Sequence, residues 1–373
     1  MSRKSCGAGK TFCVVFSMTN DKGILIKNIY YMLTYAFQVL KQSNYDEIAA
    51  EEFENIQDLF AAILAKGIAQ QLKQGLYREY ISKRDNLSVM RGKLDVYGTV
   101  HNKLQRKRML SCEYDELSVN NTFNQILKTT GVILLRQSSV SLEHKTALKK
   151  VLLFFNGVNM IDPCCIKWNM LRFRKNNQSY KMLMNICYFV LDGLLLSTDK
   201  GEYKMATFLD EQRMSRLYEK FVLEYYRYHH PDLRAAASQI AWNLDDGIID
   251  FLPIMQTDIT LRNGDKILII DTKYYTHTMQ IQGQYDSRTL HSNNLYQIFT
   301  YVKNQDVGNT SNVAGMLLYA KTEETITPDC NFQMSGNKIS VKTLDLNIAF
   351  NNIATQLNRI AESYFGEVIK KEA

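Results

Sequence analysis

Three charged residues sit where a chain should be hiding apolar side chains. Asp258, Asp271 and Lys273 fall inside "TDITLRNGDKILIIDTKYY", a stretch otherwise suited to two buried strands. Two carboxylates side by side repel each other, and burying them uncompensated is costly, so a cation or a shared proton is expected between them. Hard oxygen donors at a strand end suit Mg²⁺, which takes one or two protein carboxylates and keeps several waters for a phosphate substrate; Mn²⁺ suits the same donors. A lysine two residues further on places a positive charge beside that cation, where it can orient or deprotonate an attacking water or stabilise charge on a phosphoryl group. The plain alternative is a surface hairpin in which Lys273 pairs with one aspartate, since so short a spacing is common.

Whether these groups meet depends on the strands that carry them. Asn263-Gly264 is a strong hairpin signal, because a two-residue turn needs positive φ and these residues tolerate it. A turn there sets Arg262 opposite Asp265 and Asp258 opposite Ile269. Side chains alternate along a strand, so Ile269, Asp271 and Lys273 share a face, and Asp258 joins it as a diagonal neighbour of Asp271, about 7–8 Å away between Cα atoms. A three-residue loop would send Asp258 to the other face.

The flanking segments supply helices. Residues 211–228 place Met214, Leu217, Tyr218, Phe221 and Tyr225 on one inner stripe, with Glu219 on its flank. Residues 293–304 read as a second helix, with Ser292 as N-cap and Leu295, Ile298, Phe299 and Val302 as core stripe. Gln297 and Tyr301, four apart, share another face. "VAGMLLYA" at 313–320 reads as a buried strand, so the order from residue 210 is helix, strand, strand, helix, strand, which suits an α/β core. His277 and His291 flank the charged strands without a partner at ligand spacing and read as structural.

The first half is more mixed. Ile29, Leu33, Ala36, Phe37 and Leu40 fall on one helical face, and so do Phe60, Ile63, Leu64 and Ile68. Residues 77–100 combine β-prone runs with Gly92 and Gly98, fitting a small barrel or hairpin insertion, before helices return at 120–136, 144–155 and 180 onward. The opening "CGAGKTF" resembles the end of a phosphate-binding loop, but Ser5 stands where that loop needs a glycine and there is no room for the preceding strand, so no nucleotide is expected on this chain itself.

Composition agrees without deciding. The 373 residues suit two domains, and 46% hydrophobic with 22% charged residues is ordinary for a globular chain. A net charge of +7 permits a phosphate-binding surface; Lys103, Arg106, Lys107 and Arg108, and Arg172, Arg174 and Lys175, are candidate contacts, although solvated loops are the simpler reading of both clusters. Seven cysteines show no zinc spacing, which suits reduced thiols and a cytoplasmic location. The longest apolar runs fall short of membrane length, so no membrane partner is expected.

An acidic residue on one strand followed by (D/E)xK on the next is the signature of the PD-(D/E)xK nuclease superfamily, and "TDITL…KILIIDTKYY" with "SNNLYQIFTYV" closely resembles the McrC family, the nuclease subunit of McrBC-type modification-dependent restriction systems. "IKNIYYMLTYAF", "RGKLD", "FNQILKTT" and "RLYEKFVLEYY" resemble that family's successive blocks in the same order. Thr257 stands where the superfamily pattern has proline. The resemblance implies an α/β PD-(D/E)xK nuclease core at the C-terminus, residues 181–373, preceded by a mixed α+β domain over 18–180 that docks on a partner, with 1–17 an extension outside the family pattern. It implies a Mg²⁺-dependent endodeoxyribonuclease in which Asp258, Asp271 and the Thr272 backbone carbonyl hold the metal, Lys273 acts on water or transition-state charge, and Glu219, Gln297 and Tyr301 support the site. It also implies double-stranded DNA as substrate, an McrB-like AAA+ GTPase hexamer whose GTP hydrolysis the chain stimulates, and dimerisation of nuclease domains between complexes. Two other functions fit the same residues: a stand-alone RecB/Cas4-like repair nuclease, and a non-catalytic GTPase-activating adaptor.

If residues 1–16 are an extension, a chain beginning at Met18 should express, melt and bind its partner like the full one. A clear loss of folding or binding on truncation, read by thermal melting and pull-down, would contradict that expectation.

Overall fold

The computed structural model describes residues 20–21, 24–36, 53, 55–174, 177, 179–192, 211–245, 250–275, 280–282, 287–321 and 327–366. The extension expected at 1–17, Phe37, Leu40, Lys175 and His277 lie outside the described residues. The first half runs through helices α1 (Ile26–Ala36) and α2 (Ile56–Gln74), strands β1 (Glu79–Leu87) and β2 (Lys93–Leu94), helix α3 (Val96–Leu104), strand β3 (Leu110–Ser118), and helices α4 (Thr122–Arg136), α5 (Leu142–Leu152) and α6 (Tyr180–Asp192). The second half contains α7 (Glu211–His229), β4 (Ile259–Asn263), β5 (Lys266–Lys273), α8 (Ser292–Gln305), β6 (Val313–Ala320), β7 (Cys330–Met334), β8 (Asn337–Leu344) and α9 (Phe350–Phe365).

Local chemistry explains the helix starts. Asn55 and Asn121 each accept a hydrogen bond from the backbone N–H three residues on, satisfying donors that the first turns of α2 and α4 leave free. Ile29, Leu33, Phe60, Ile63, Leu64 and Ile68 are all buried, as their spacing predicts. The small β unit expected at 77–100 extends further: β1, β3 and β2 make a three-stranded antiparallel sheet whose central strand β3 lies beyond those bounds, with α3 laid beside it. Asp95, from the "RGKLD" block, holds this unit together. It caps α3 through the Gly98 N–H and accepts from Ser111 Oγ and Arg84.

The second half is a five-stranded mixed sheet in the order β7-β8-β6-β5-β4. Strands β5, β6 and β8 run parallel, and β4 and β7 lie antiparallel at the edges. A central strand covered on both faces reads as an unbroken apolar run, which is why Leu268, Ile269 and Ile270 follow one another and every residue of β6 is buried. Ile269 packs toward α8, whereas Leu268 and Ile270 pack toward the core shared with α7 and α9. The apolar core is continuous into the first half: α1 docks on α7 through a 2.7 Å hydrogen bond between Tyr35 OH and His229 Nε2, and Asn28 donates to the Leu346 and Ile348 carbonyls. Helix α6 packs the other way, its Tyr180 hydroxyl donating to Asn124 Oδ1 of α4.

Two local expectations need correction. The hairpin pairs Asn263 with Lys266 and Ile259 with Ile270, so its turn is Gly264-Asp265 rather than Asn263-Gly264. Gly264 has φ +57° and Asp265 is not left-handed, the pattern of a type II′ turn, which wants glycine first and spares Asn263 a positive φ. The register therefore moves by two residues. An even step keeps each side chain on its face, but it brings Asp258 opposite Asp271 instead of diagonal to it. The second correction concerns Ser292, which is the first residue of α8 and not its cap. His291 precedes the helix, and its carbonyl already accepts from the N–H groups of Asn294 and Leu295.

Gly315 shows how tightly α8 is seated. A Cβ built there would lie 2.7 Å from Ile298 Cγ1 and 2.8 Å from Val302 Cγ2. Gly315→Ala should therefore destabilise the protein by about 1–3 kcal/mol, the usual range for overpacking, read as a lower melting temperature. An unchanged melting temperature would show that α8 is not held flush against β6.

Candidate active site

Asp258 stands in the bend just before β4, and its position is set by Thr257. The Thr257 N–H and hydroxyl both donate to the Ser238 carbonyl, at 2.9 and 3.0 Å, and the hydroxyl accepts from the Ser238 N–H. Proline at this position would forfeit all three bonds, so threonine is a different way of fixing the same bend. Asp258 Oδ2 then accepts from the Thr272 N–H at 2.7 Å and the Thr272 hydroxyl at 2.8 Å. Because the N–H and C=O of one strand residue point to the same side, the Thr272 carbonyl faces the Asp258 side as well.

Asp271 is buried on the neighbouring strand, with only 2% of its surface exposed. The Lys273 ammonium lies 2.8 Å from its Oδ2, a close ion pair inside the protein. Burial pushes the Asp271 carboxyl up to about 6; Lys273 opposes that rise and the like charge of Asp258 adds to it. Lys273 is pulled down by burial, but Asp271 outweighs this and holds the ammonium above its ordinary range. Glu219, half-buried on α7, is raised to about 7 by burial first and then by Asp258 and Asp271. It therefore shares the field of the two aspartates. No group of three His, Cys, Asp or Glu side chains among the described residues has metal-ligand spacing, so Glu219 does not complete a ready three-carboxylate cage.

The two helical residues singled out beside α8's core stripe turn toward this site rather than to solvent. Lys273 Nζ donates to Gln297 Oε1 at 3.2 Å, Gln297 Nε2 donates to Tyr301 OH at 3.0 Å, and that hydroxyl donates to the Gln256 carbonyl at 3.1 Å. The chain of bonds ties the lysine head to the segment leading into Asp258. Sequence reasoning missed the Thr272 hydroxyl, and it missed Tyr319, which lies opposite Lys273 across the β5–β6 pair and accepts from Asn294 Nδ2. No local signal marks Tyr319, because its place depends on parallel pairing with a strand distant in the chain. His291 packs its ring 5.1 Å from Tyr275 and belongs to no group of three metal-ligating side chains among the described residues.

The donor set fits a divalent cation. Two carboxylates and a carbonyl converge, the buried Asp271 carboxyl is raised despite the ammonium beside it, and a third carboxyl nearby is forced toward its neutral form. A hard cation would relieve each of these at once.

Comparison with known proteins extends this picture over most of the chain. Residues 15–320 match the family described as McrBC 5-methylcytosine restriction system component. The type IV methyl-directed restriction enzyme EcoKMcrBC of Escherichia coli K12 is 27% identical over 348 residues, covering 91% of this chain and 98% of that relative. A solved half-complex from the tetradecameric assembly of Thermococcus gammatolerans McrB AAA+ hexamers with bound McrC aligns over 90% of this chain and 76% of its own, with a TM-score of 0.51 at 17% identity. That likeness is one of fold. No helix among the described residues is long and apolar enough to cross a membrane.

The raised carboxyl has a consequence for stability. A buried acid whose folded pKa of about 6 exceeds its unfolded value near 4 costs nothing below pH 4, and its penalty grows as pH rises through 6. In metal-free buffer at pH 8, Asp271→Asn should therefore melt higher than wild type by roughly 1–3 kcal/mol of stability, and the difference should vanish near pH 4. Added Mg²⁺ should raise the melting temperature of wild type at pH 8 and not that of the variant. Equal melting of the two proteins at both pH values would remove the argument for carboxylate repulsion.

Proposed function

Because the chain belongs to the family of McrBC 5-methylcytosine restriction system components, we propose that it is the DNA-cleaving subunit of a methylation-dependent restriction complex, a Mg²⁺-dependent endodeoxyribonuclease built on a PD-(D/E)xK core. The observation that carries this reading is the convergence of Asp258, Asp271 and Lys273, two facing carboxylates and an ammonium, at the end of the β4–β5 pair.

In this reading Asp258, Asp271 and the Thr272 carbonyl hold the metal, with Mn²⁺ an alternative. When bound, such a cation lowers the pKa of a coordinated water and screens a phosphodiester oxygen. The chain's own groups do the rest. Thr272, through its N–H and hydroxyl, fixes the Asp258 carboxylate. Lys273, kept as an ammonium by Asp271, supplies positive charge to the phosphoryl group rather than acting as a base. Gln297, backed by Tyr301, holds the Lys273 Nζ in position. Glu219, with a pKa of about 7, is suited to taking up or returning a proton at neutral pH.

A partner belongs to the same proposal. One solved structural neighbour comes from an assembly of McrB AAA+ hexamers with bound McrC, and this chain is proposed to dock on a GTPase ring through its first half. The surface of α3 supports that reading. Val96, Val100 and Leu104, at i, i+4 and i+8, stand exposed beside Tyr97, which is 83% exposed. An apolar helical stripe left in solvent marks an interaction site. Cleavage after DNA translocation by the ring, and pairing of two nuclease units, follow from the same reading.

Asp258→Ala, Asp271→Ala and Lys273→Ala should each lower plasmid cleavage about 10²-fold or more while leaving stimulation of the partner's GTP hydrolysis near wild type. Mg²⁺ or Mn²⁺ should support cutting, Ca²⁺ should not, and EDTA should abolish it. Normal cutting by Lys273→Ala would refute the site. Loss of GTPase stimulation in a folded Lys273→Ala protein would refute the division of labour between the two halves.

A further inference from the structure

The first half carries a second cationic feature that the cleavage site does not use. A cleft of about 390 Å³, within the size range of ligand sites, opens between the start of α4 and the chain following α5. Lys167, Arg172 and Arg174 line it, against one acid, Glu79. None of the three cations forms an ion pair with a described residue. In the neighbouring sheet Lys83 pairs with Glu116 and Arg84 with Asp95. The other basic cluster, Lys103 in the last turn of α3 with Arg106, Lys107 and Arg108 in the exposed chain that follows, lines neither this cleft nor the one around Asp95.

The wall of the cleft is aromatic. Tyr77 and Phe123 meet edge to face at 5.6 Å, and Phe123 is fixed in turn by Phe173 and Tyr180. Exposed cations on long side chains around an apolar wall are suited to a polyanion that runs through the cleft. A small anion would instead be enclosed by short, buried donors. The apolar face suits the sugar edge of such a chain, since deoxyribose presents carbon rather than charge.

We propose that this cleft binds the phosphodiester backbone of duplex DNA at a distance along the chain from the cleavage site, with Lys167, Arg172 and Arg174 each meeting a phosphate. The inference rests on the nuclease reading above, because it supplies DNA as the polyanion. The cleft is a positioning surface: it holds the duplex without reading its sequence, as backbone contacts do.

The test uses the full chain in EDTA, so that binding is separated from cutting, with a fluorescently labelled duplex read by anisotropy across about 50–200 mM salt. Replacing Lys167, Arg172 and Arg174 together by alanine should weaken binding at least about tenfold and lower the slope of log K against log salt by about 2–3, near 0.9 for each phosphate that is no longer neutralised. Arg172→Lys with Arg174→Lys should keep the slope, because charge and not shape sets it. An alanine variant that melts like wild type and binds DNA with unchanged slope would overturn the proposal, even if the nuclease reading held. Unchanged DNA binding with lost GTPase docking would assign the cleft to a protein and overturn it as well. A wild-type chain that binds no duplex at low salt would overturn both readings.

Discussion

Mutual repulsion between Asp258 and Asp271 is the constraint on which the second half of this molecule turns. Two like charges placed opposite each other across an antiparallel pair are destabilising unless something answers each of them. For Asp258 the answer is local: the Thr272 N–H and hydroxyl both point at one oxygen. For Asp271 it is the Lys273 ammonium, two residues along the same strand and on the same face. The answer is incomplete, since burial keeps the Asp271 carboxyl raised despite the ammonium beside it and Glu219 is driven toward neutrality next to them. An arrangement that stays under-neutralised without help is poised to take a cation, and the apolar surroundings that raise these pKa values are also what would make a bound charge effective.

The rest of the fold keeps that tension in place. A hairpin alone would splay, and the facing carboxylates would drift apart into water. Strand β5 cannot move, because β6 pairs with it from Val313 to Tyr319 and both faces of the sheet are covered. Helix α8 is pressed onto β6 at Gly315, and this brings Gln297 within reach of Lys273. On the opposite face α7 carries Glu219, and it is anchored by Tyr225 and Tyr226, whose hydroxyls donate to backbone carbonyls of α9. Helix α1, from the far end of the chain, closes over α7 through Tyr35 and His229. The first and second halves therefore share one apolar core while presenting different chemistry at their surfaces: exposed apolar and cationic groups in the first, a partly neutralised acidic site in the second.

Several sequence blocks that resemble family landmarks have structural rather than chemical work. Asp95 in "RGKLD" caps α3 and ties it to β1 and β3. Asn124 in "FNQILKTT" is fully buried and donates to the Tyr77 and Val119 carbonyls, closing the join between the small sheet and the helices. Buried polar side chains with complete hydrogen bonding specify one arrangement of the backbone around them.

The sequence alone determined that Asp258, Asp271 and Lys273 share one face of the sheet, because the alternation of side chains along a strand is independent of context: Asp271 and Lys273 had to share a face once β5 was a strand, and an even shift in the hairpin could not remove Asp258 from it. Helical stripes such as Leu217, Phe221 and Tyr225 were equally legible, since periodicity reports burial directly. Tertiary structure alone decided how these parts meet. The turn settled on Gly264-Asp265 because one glycine at the first central position meets the demands of a type II′ turn, a choice among near-equal local options that the sheet register settles. That Gln297 reaches Lys273 depends on α8 crossing the sheet at close range, and that Tyr319 lies beside Lys273 depends on parallel pairing of β5 and β6. Parallel pairing and helix crossings join residues far apart in the chain, and no local pattern encodes a partner that only the closed core brings near.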